Sequence, residues 1–308
     1  MAAAAKYAPS LLGSYRRSIG LIVMIMPCLA YFLIFHYVPM VGLIIAFKDF
    51  VMTDGVLGSR WIGLESFERL FSSADFPRAL RNTIVISLLR LSFGFVAPIV
   101  LALMLNELRI SWHRRTVQTL TYIPYVFSWV MLGGIFLMMF SDSGPINQMV
   151  QSVSDKPIKF LVDDFWFIIL LTVTYIWQSA GYGAVIYLAA LSGINPDLYE
   201  AAVVDGANRW RQTLHITLPC LVPTIIVLFI LNIGHFLTAG FDQVYNLYNP
   251  MVYDISDIVD TYVLRRLQLM DFSLATAAGL FKSAVGLGLV VAVNFLARRF
   301  SDGEHGIW

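Results

Sequence analysis

The sequence predicts an all-α integral membrane protein with six transmembrane helices, and three observations support this. Hydrophobic residues make up 58% of the 308-residue chain and charged residues only 13%, whereas about a quarter of a soluble domain is charged. Of the 21 basic and 20 acidic residues, only Arg90 and Lys282 lie inside the long apolar stretches. Each stretch can cross a hydrocarbon core of about 30 Å as a helix, which satisfies its own backbone hydrogen bonds in lipid. The six stretches are 19–47, 82–105, 117–140, 165–191, 218–241 and 274–297.

The first stretch, 19–47, follows the basic residues Lys6, Arg16 and Arg17. It is longer than the apolar core of a signal peptide, and no small-x-small cleavage site follows it. We therefore expect a retained helix, kinked by its prolines at positions 27 and 39.

The distribution of Lys and Arg favours a topology with both termini in the cytoplasm, because the segments on that side are then richer in basic residues. Arg298 and Arg299, directly after the last stretch, agree with this orientation, whereas Arg78 and Arg81 oppose it. The expected organisation is a cytoplasmic N-terminal segment 1–18, a transmembrane domain 19–297 and a cytoplasmic tail 298–308.

Between the first two stretches, residues 65–81 place Phe67, Leu70 and Phe71 on one face of a helix. Such a pattern predicts an amphipathic helix that lies in the membrane interface. No linker or low-complexity tract interrupts the chain, so we expect no separate water-soluble domain.

The two cations within the apolar stretches, Arg90 and Lys282, are costly at mid-membrane, and such residues usually face protein or water. Both lie eight residues after the outer end of their stretch, roughly 12 Å into the membrane, and the six stretches contain no Asp or Glu to neutralise them. Three interpretations stay open: the side chains snorkel outward, pair with a partner subunit, or attract anions such as uronates to the pathway.

Polar and aromatic side chains recur at helical spacing on the fourth and fifth stretches. They combine flat rings, which suit the C–H faces of sugars, with amides and hydroxyls that suit sugar hydroxyl groups. The alternative is that Gln and Asn join helices and that Tyr and Trp form interfacial belts. The candidate pathway residues, including the two cations, are Arg90, Tyr175, Trp177, Gln178, Tyr182, Asn232, His235, Phe236 and Lys282.

The segment 195–219, which we call the coupling segment, predicts two short helices joined by a sharp corner. Asn195 can cap the first helix, Gly206 suits a left-handed C-terminal cap, and Asn208 can start the second helix before Pro219. The local pattern fits a docking element for a cytoplasmic partner, and it also fits an ordinary amphipathic helix lying on the membrane.

Residues 200–219 also match the pattern E-A-A-x3-G-x9-I-x-L-P at every specified position: Glu200, Ala201, Ala202, Gly206, Ile216, Leu218 and Pro219. This resembles the EAA loop of permease subunits in binding-protein-dependent ABC importers, and the resemblance covers most of the chain. The segments LRNTIVIS (80–87), ALMLNEL (102–108) and YIPYVFSWVMLGGIF (122–136) are similar to oligosaccharide and polysaccharide permeases of the maltose-permease type, which include those for alginate. Lys282 departs from that family, where a neutral polar residue is expected.

The resemblance implies the fold of a type I ABC importer permease in the bacterial cytoplasmic (inner) membrane. It implies import of a carbohydrate, an oligosaccharide or polysaccharide such as alginate, by alternating access. In such permeases the EAA helix sits in a cleft of the ATPase, so Glu200 would make the polar contact, Ala201 and Ala202 the close packing, and Gly206 the bend. Asp205 and Arg209 belong to the same docking loop.

The resemblance also implies partners. These are a second permease subunit, expected to be a homologous different chain, two ATP-binding subunits, an external solute-binding protein and membrane lipid. This chain has no G-x-x-x-x-G-K-[ST] motif, so ATP and magnesium are expected on the partner ATPases and no cofactor is expected here.

Other classes of function are disfavoured. A net charge of +1 gives no basic field for nucleic acid, and Cys28 and Cys220 read as small apolar residues rather than metal ligands or a disulfide pair. The histidines do not cluster, and neither H-E-x-x-H nor G-x-S-x-G occurs, so we expect no catalytic residue and no metal site. The alternative to an ABC permease is an ion-gradient-driven secondary transporter or channel. It would need acidic residues within the spans for proton or sodium coupling, and the six stretches contain none.

Overall fold

The structure of the protein, a computed structural model, describes residues 19–108, 110–154 and 156–300, apart from the side chains of 296–298 and 300. The predicted N-terminal segment 1–18 and most of the predicted tail 298–308 lie outside the described residues. In the described part, five helices are long and apolar enough to cross a membrane, and a bent helix pair makes a sixth span if counted as one.

The six spans are, in chain order, Ile19–Phe47, Asp75–Glu107, the pair Ser111–Val126 and Trp129–Met139, Asp164–Ser192, Arg209–Gly234 and Phe272–Phe300. They are joined by an antiparallel pair of strands, Lys48–Asp49 and Arg60–Trp61, and by short helices. These helices are Gly55–Gly58, Glu65–Ser72, Pro145–Gln151, Pro196–Val204, Phe236–Thr238, Phe241–Leu247, Pro250–Val252, Tyr253–Ser256 and Val259–Gln268. We call the two ends of the bundle the hairpin end, which carries the strands, and the coupling end, which carries the coupling segment.

Three spans contain a π-helical turn, and in each case a proline follows closely. The turns are Leu33–Tyr37, Arg90–Gly94 and Thr213–Thr217, and the prolines are Pro39, Pro98 and Pro219. A proline has no N–H for the carbonyl four residues earlier, and its ring pushes that carbonyl aside. That carbonyl lies inside the π turn each time, so the wider turn accommodates the proline without breaking the span.

The third span differs from the prediction of one helix over 117–140. Its two helices meet at an angle of 100°, because Phe127 and Ser128 both take extended backbone angles. The Ser128 hydroxyl accepts a hydrogen bond from the Met131 N–H and so caps the second helix. The apolar character of the sequence continues through this corner, which is why hydropathy did not reveal it.

The fifth span also ends earlier than the predicted residue 241. Its helix stops at Gly234, and a 3₁₀ turn leads to Ala239 and Gly240, which both have positive φ angles of 44° and 68°. This left-handed corner turns the chain into the helix Phe241–Leu247.

The amphipathic helix predicted over 65–81 is shorter than expected, and part of its apolar face packs against protein. It ends at Ser72, and span two begins at Asp75. Leu70 is fully buried in a cluster with Phe76 and Tyr262, while the Phe71 ring contacts Phe76 and Phe281 edge to face. The apolar face therefore joins span two, span six and the helix Val259–Gln268.

Ion pairs and hydrogen bonds hold the connecting helices over the hairpin end. Arg78 bonds to the carboxylates of Asp75 and Asp254, each at 2.9 Å, and Arg81 donates to the Asp254 carbonyl at 2.9 Å. Arg265 binds the fully buried carboxylate of Asp257 through both of its terminal nitrogens. The basic residues that opposed the predicted topology thus have local partners.

Small residues let the central helices approach closely. Gly183 on span four faces the Pro98 ring, where an added Cβ would come within 2.8 Å, and Gly181 packs against the backbone of Thr121. Close contact of this kind is the main source of packing energy between helices in lipid. A cluster of buried residues follows it toward the coupling end: Ala102, Leu105, Ala184, Tyr187, Leu188, Leu191 and Leu221.

Gly181→Ala should destabilise the protein, because the new methyl group would overlap the Thr121 carbonyl oxygen, which is backbone and cannot move aside. We expect a loss of about 1–3 kcal/mol, measured as a lower midpoint of thermal unfolding in detergent. Gly279→Ala is the matched control, since a Cβ there meets nothing within 4 Å in the described structure. Equal midpoints for the two variants would contradict this packing.

Candidate functional site

A cavity of about 620 Å³ lies between spans two, three, four and five, and we call it the main cavity. Its wall includes the predicted side chains Tyr175, Gln178, Tyr182, Asn232 and His235. Residues separated by more than 50 positions in the sequence therefore meet around one space.

A narrower cavity of about 100 Å³ adjoins the main cavity on the side of the hairpin end, and we call it the side cavity. Tyr175, Asn232 and His235 line both spaces. The side cavity also contains the predicted residues Arg90 and Phe236.

The wall of the main cavity offers hydrogen-bonding groups with free capacity. The Gln178 amide makes no hydrogen bond to another described residue, although the residue is only 8% exposed. The Asn232 amide donates to the Leu228 carbonyl at 2.8 Å, which leaves its oxygen available. Buried amides usually have partners, so the unpaired amide of Gln178 indicates a ligand in the cavity. The Asn232 side chain, which is exposed to the cavity, can contact the same ligand.

An aromatic surface borders the same space. The rings of Tyr125 and Tyr182 are stacked with centroids 4.1 Å apart and planes 3° apart. Sequence reasoning missed Tyr125, because it comes from the third span and its position depends on the 100° bend that follows it.

Trp177 and Lys282 line neither cavity. The Trp177 side chain is half exposed on the surface of the bundle and packs edge to face on Phe136. Since Trp177 directly precedes Gln178 on the helix, the two side chains point in different directions.

Arg90 lies in the π turn of span two, at the meeting point of spans two, four and five. Its guanidinium carbon is 4.0 Å from the centroid of the Tyr175 ring, a cation–π geometry, and Nη2 donates to Oε1 of Gln243. Gln243 is fully buried, and its own amide donates to the Leu171 carbonyl at 2.8 Å and to Thr174 Oγ1 at 2.7 Å. Sequence reasoning missed Gln243, which lies beyond the end of span five.

Gly240 is needed beside Arg90. Its φ of 68° is unfavourable for other residues, and a Cβ there would overlap the guanidinium group. The left-handed corner at 239–240 and the Arg90 side chain therefore fit together as one unit on the hairpin side of the cavities.

Lys282 has an acidic partner within this chain, which none of the three interpretations from the sequence included. Its ammonium binds the carboxylate of Asp260, and the two side chains are 18% and 23% exposed. Asp260 belongs to the connecting helix Val259–Gln268 rather than to a span, so counting acids within the spans could not find it. The pair lines a separate groove of about 370 Å³ with Thr238 and Phe241.

The coupling segment has the predicted local structure. The Asn195 side chain accepts from the Asp197 N–H at 3.1 Å at the start of the helix Pro196–Val204. Gly206 has a φ of 76°, and the Ala207 N–H bonds to the Ala202 carbonyl at 2.8 Å, as in a Schellman cap. The helix is therefore ended by a defined corner.

The second helix of the coupling segment differs from the prediction in one respect. Asn208 caps it by accepting from the Arg211 N–H at 2.9 Å, but it does not stop before Pro219. It runs through the π turn Thr213–Thr217 into span five, so Arg209–Gly234 is one continuous span. The continuous helix thereby connects the coupling segment to Asn232 near its far end.

The coupling segment projects from the bundle. No residue of the helix Pro196–Val204 is buried, and Val204 is 88% exposed. Glu200 and Arg209 line a cavity of about 470 Å³ against the end of span two, where Arg209 binds the Glu107 carboxylate at 2.9 Å. Ala201 is exposed, so a partner can approach the backbone closely there.

Comparison with known proteins gives a consistent result. A family model described as "Binding-protein-dependent transport system inner membrane component" matches residues 94–302. The polygalacturonan/rhamnogalacturonan transport system permease protein YteP of Bacillus subtilis is 46% identical over 290 residues, which cover 94% of this chain and 90% of the relative. Protein LplB of Bacillus subtilis is 42% identical over 95% of this chain and 93% of its own length.

Solved structures agree. A chain from the crystal structure of a bacterial ABC transporter involved in the import of the acidic polysaccharide alginate matches with a TM-score of 0.89 and 41% identity, over 94% of this chain and 99% of that one. A chain from a bacterial alginate ABC transporter in complex with an alginate pentasaccharide-bound periplasmic protein matches with a TM-score of 0.89 and 39% identity, over 96% and 99% of the two chains.

The ion pair between Lys282 and Asp260 can be tested by removing one partner and then both. Lys282→Gln alone leaves a partly buried carboxylate without its cation and should destabilise the protein by about 1–3 kcal/mol. The double variant Lys282→Gln/Asp260→Asn should recover most of that loss, measured by thermal unfolding in detergent. A double variant less stable than the single one would show that the two side chains do not interact.

Proposed function

Because the chain belongs to the family of binding-protein-dependent transport system inner membrane components and is a permease subunit of an ABC importer for carbohydrates, we propose that acidic oligosaccharides pass along its main cavity. The arrangement that carries this proposal is the combination of the free amide groups of Gln178 and Asn232 with the stacked tyrosines, around a cavity bordered by spans two to five. A separate ATPase pair powers the movement through the coupling segment.

The substrate class is inferred from the site and from the relatives. Stacked tyrosine rings suit the C–H faces of pyranoses, while the amides of Gln178 and Asn232 suit their hydroxyl groups. The named substrates of two similar proteins, polygalacturonan and alginate, are chains of acidic sugars. We infer that this chain carries an oligosaccharide of the same class.

We infer that the coupling end faces the cytoplasm and the hairpin end faces outward in the bacterial inner membrane, with both chain termini cytoplasmic. The bias of Lys and Arg toward that side supports this orientation. Arg78 and Arg81, which oppose it, are bound to Asp75 and to Asp254 on the hairpin end. Because these two positive charges have partners on the same chain, they count less as evidence against this orientation.

The coupling segment is assigned as the ATPase-docking element. Its exposed helix is supported by a cap at each end, and Glu200 and Arg209 offer charges beside a recess. The docking surface comprises Glu200, Ala201, Ala202, Asp205, Gly206 and Arg209. One such segment per chain implies a second permease subunit for the second ATPase, and ATP with magnesium binds to those ATPases.

Movement of the docking helix reaches the main cavity along span five. The continuous helix Arg209–Gly234 is about 39 Å long at 1.5 Å per residue. The ATPases therefore act at one end of this helix, while its other end carries Asn232 and is followed by His235, and both of these residues line the main cavity. Closure of the ATPase pair thereby changes the width of the cavity, which is the physical basis of alternating access.

Gly206→Pro should uncouple the permease from its ATPases. Proline fixes φ near −65° where 76° is required, and it removes the N–H that bonds to the Val203 carbonyl at 3.0 Å. Transport and sugar-stimulated ATP hydrolysis should both fall at least about tenfold while the protein still inserts. Glu200→Ala, which keeps the backbone intact, should show a smaller loss of the same kind. Normal transport by both variants at normal membrane levels would refute the docking assignment.

Uptake of an acidic oligosaccharide into proteoliposomes should require ATP, the ATPase subunits, the second permease and an external solute-binding protein. Omitting any one component should reduce uptake to background, since the chain alone has no energy source. Uptake that runs on a proton or sodium gradient with this chain alone would instead identify a secondary transporter.

A further inference from the structure

The two cations that the sequence places within the membrane have different surroundings in the structure. Lys282 is neutralised by Asp260. Arg90 forms no ion pair among the residues that the structure describes. Its hydrogen bond and its ring contact there are to the neutral side chains of Gln243 and Tyr175. A full positive charge in the hydrocarbon region without a carboxylate is costly, so such a residue is usually functional.

The contacts of Arg90 leave donor groups available. A guanidinium group has five N–H donors, and one of its nitrogens is engaged with Gln243. Tyr175 covers a face of the group and takes up no N–H in its plane. The remaining edge can therefore offer the paired N–H groups that match the two oxygens of a carboxylate.

The side cavity places other polar groups beside that edge. Ser87 lines it, and its Oγ is buried without a hydrogen-bond partner in the described residues. His235 and Asn232 line the same space and continue into the main cavity. Buried hydroxyls rarely lack partners, so the unpartnered Ser87 hydroxyl points independently to a ligand at this position.

The support of Arg90 is rigid, as a specificity-determining residue requires. Gln243 is held by its own hydrogen bonds to Leu171 and Thr174 on span four. Gly240 provides the space that the guanidinium occupies. The charge is thus held in one place at the hairpin side of the sugar-binding wall, rather than reaching out of the membrane.

We propose that Arg90, with Ser87, binds the carboxylate of a uronic acid residue as an acidic oligosaccharide passes from the side cavity into the main cavity. This inference rests on the proposed function and adds the group that distinguishes acidic from neutral sugars. The positive charge of Arg90 complements the substrate, and the sugar ring extends toward the Tyr125–Tyr182 pair.

The test uses the complete importer in proteoliposomes, with trigalacturonate as the probe and saturating amounts of loaded binding protein. Uptake of the sugar and hydrolysis of ATP are measured together, and their ratio is compared between variants. Arg90→Gln should lower sugar uptake per ATP by about tenfold or more, the loss expected for a charge-assisted hydrogen bond. Arg90→Lys should recover part of the ratio because it restores the charge without the paired donors.

The control is the variant Lys282→Gln/Asp260→Asn, which removes the other embedded cation together with its partner and should leave the ratio unchanged. If the importer with Arg90→Gln does not assemble, the variant Ser87→Ala provides the test. It removes one buried hydroxyl group and should lower the sugar uptake per ATP severalfold.

A parallel fall of uptake and hydrolysis in the Arg90 and Ser87 variants, with the ratio constant, would overturn the proposal and leave Arg90 as a structural link to Gln243. Failure of the wild-type complex to transport trigalacturonate would instead count against the proposed substrate class.

Discussion

The hydrocarbon core of a membrane offers no hydrogen-bond partners, and this constraint organises the whole protein. A polar side chain in a span must bond within the protein or face a polar space. Thr174 meets this requirement by donating a hydrogen bond to the Leu170 carbonyl. Gln243 meets it through hydrogen bonds to span four. Gln178 and Arg90 keep free hydrogen-bonding capacity, and they line the main cavity and the side cavity respectively. The polar side chains that are most costly in the membrane thus lie beside the cavities, where a polar substrate can supply their missing hydrogen bonds.

Prolines and close helix packing give those spans their shape. The π turns before Pro98 and Pro219 absorb the missing backbone donors, and one of them places Arg90 at the junction of three spans. Glycines on span four bring it close to spans two and three. The helix from Arg209 to Gly234 then joins the exposed coupling segment to the cavity wall. The proposed docking helix Pro196–Val204 therefore connects, through the corner at Gly206, to a helix that lines the proposed sugar site. Along this route energy released outside the membrane would act within it.

Features determined by neighbouring residues could be predicted from the sequence, and features determined by distant contacts could not. The caps at Asn195, Gly206 and Asn208 act within a few residues, and the structure has all three. The apolar stretches located span one to the residue and span four to within one residue. In contrast, Gln243 meets Arg90 across 153 positions, and Asp260 reaches Lys282 from a connecting helix. The corner in the third span has no hydropathy signal because its two extended residues lie within continuous apolar sequence.

Whether sugar passes along this chain's own cavities can be seen directly in a structure of the complete importer with its ATPases inactivated and an acidic oligosaccharide bound. We expect sugar density against the rings of Tyr125 and Tyr182, with a carboxylate beside the guanidinium of Arg90. Density held only by the partner permease, with these three side chains free of sugar, would contradict it.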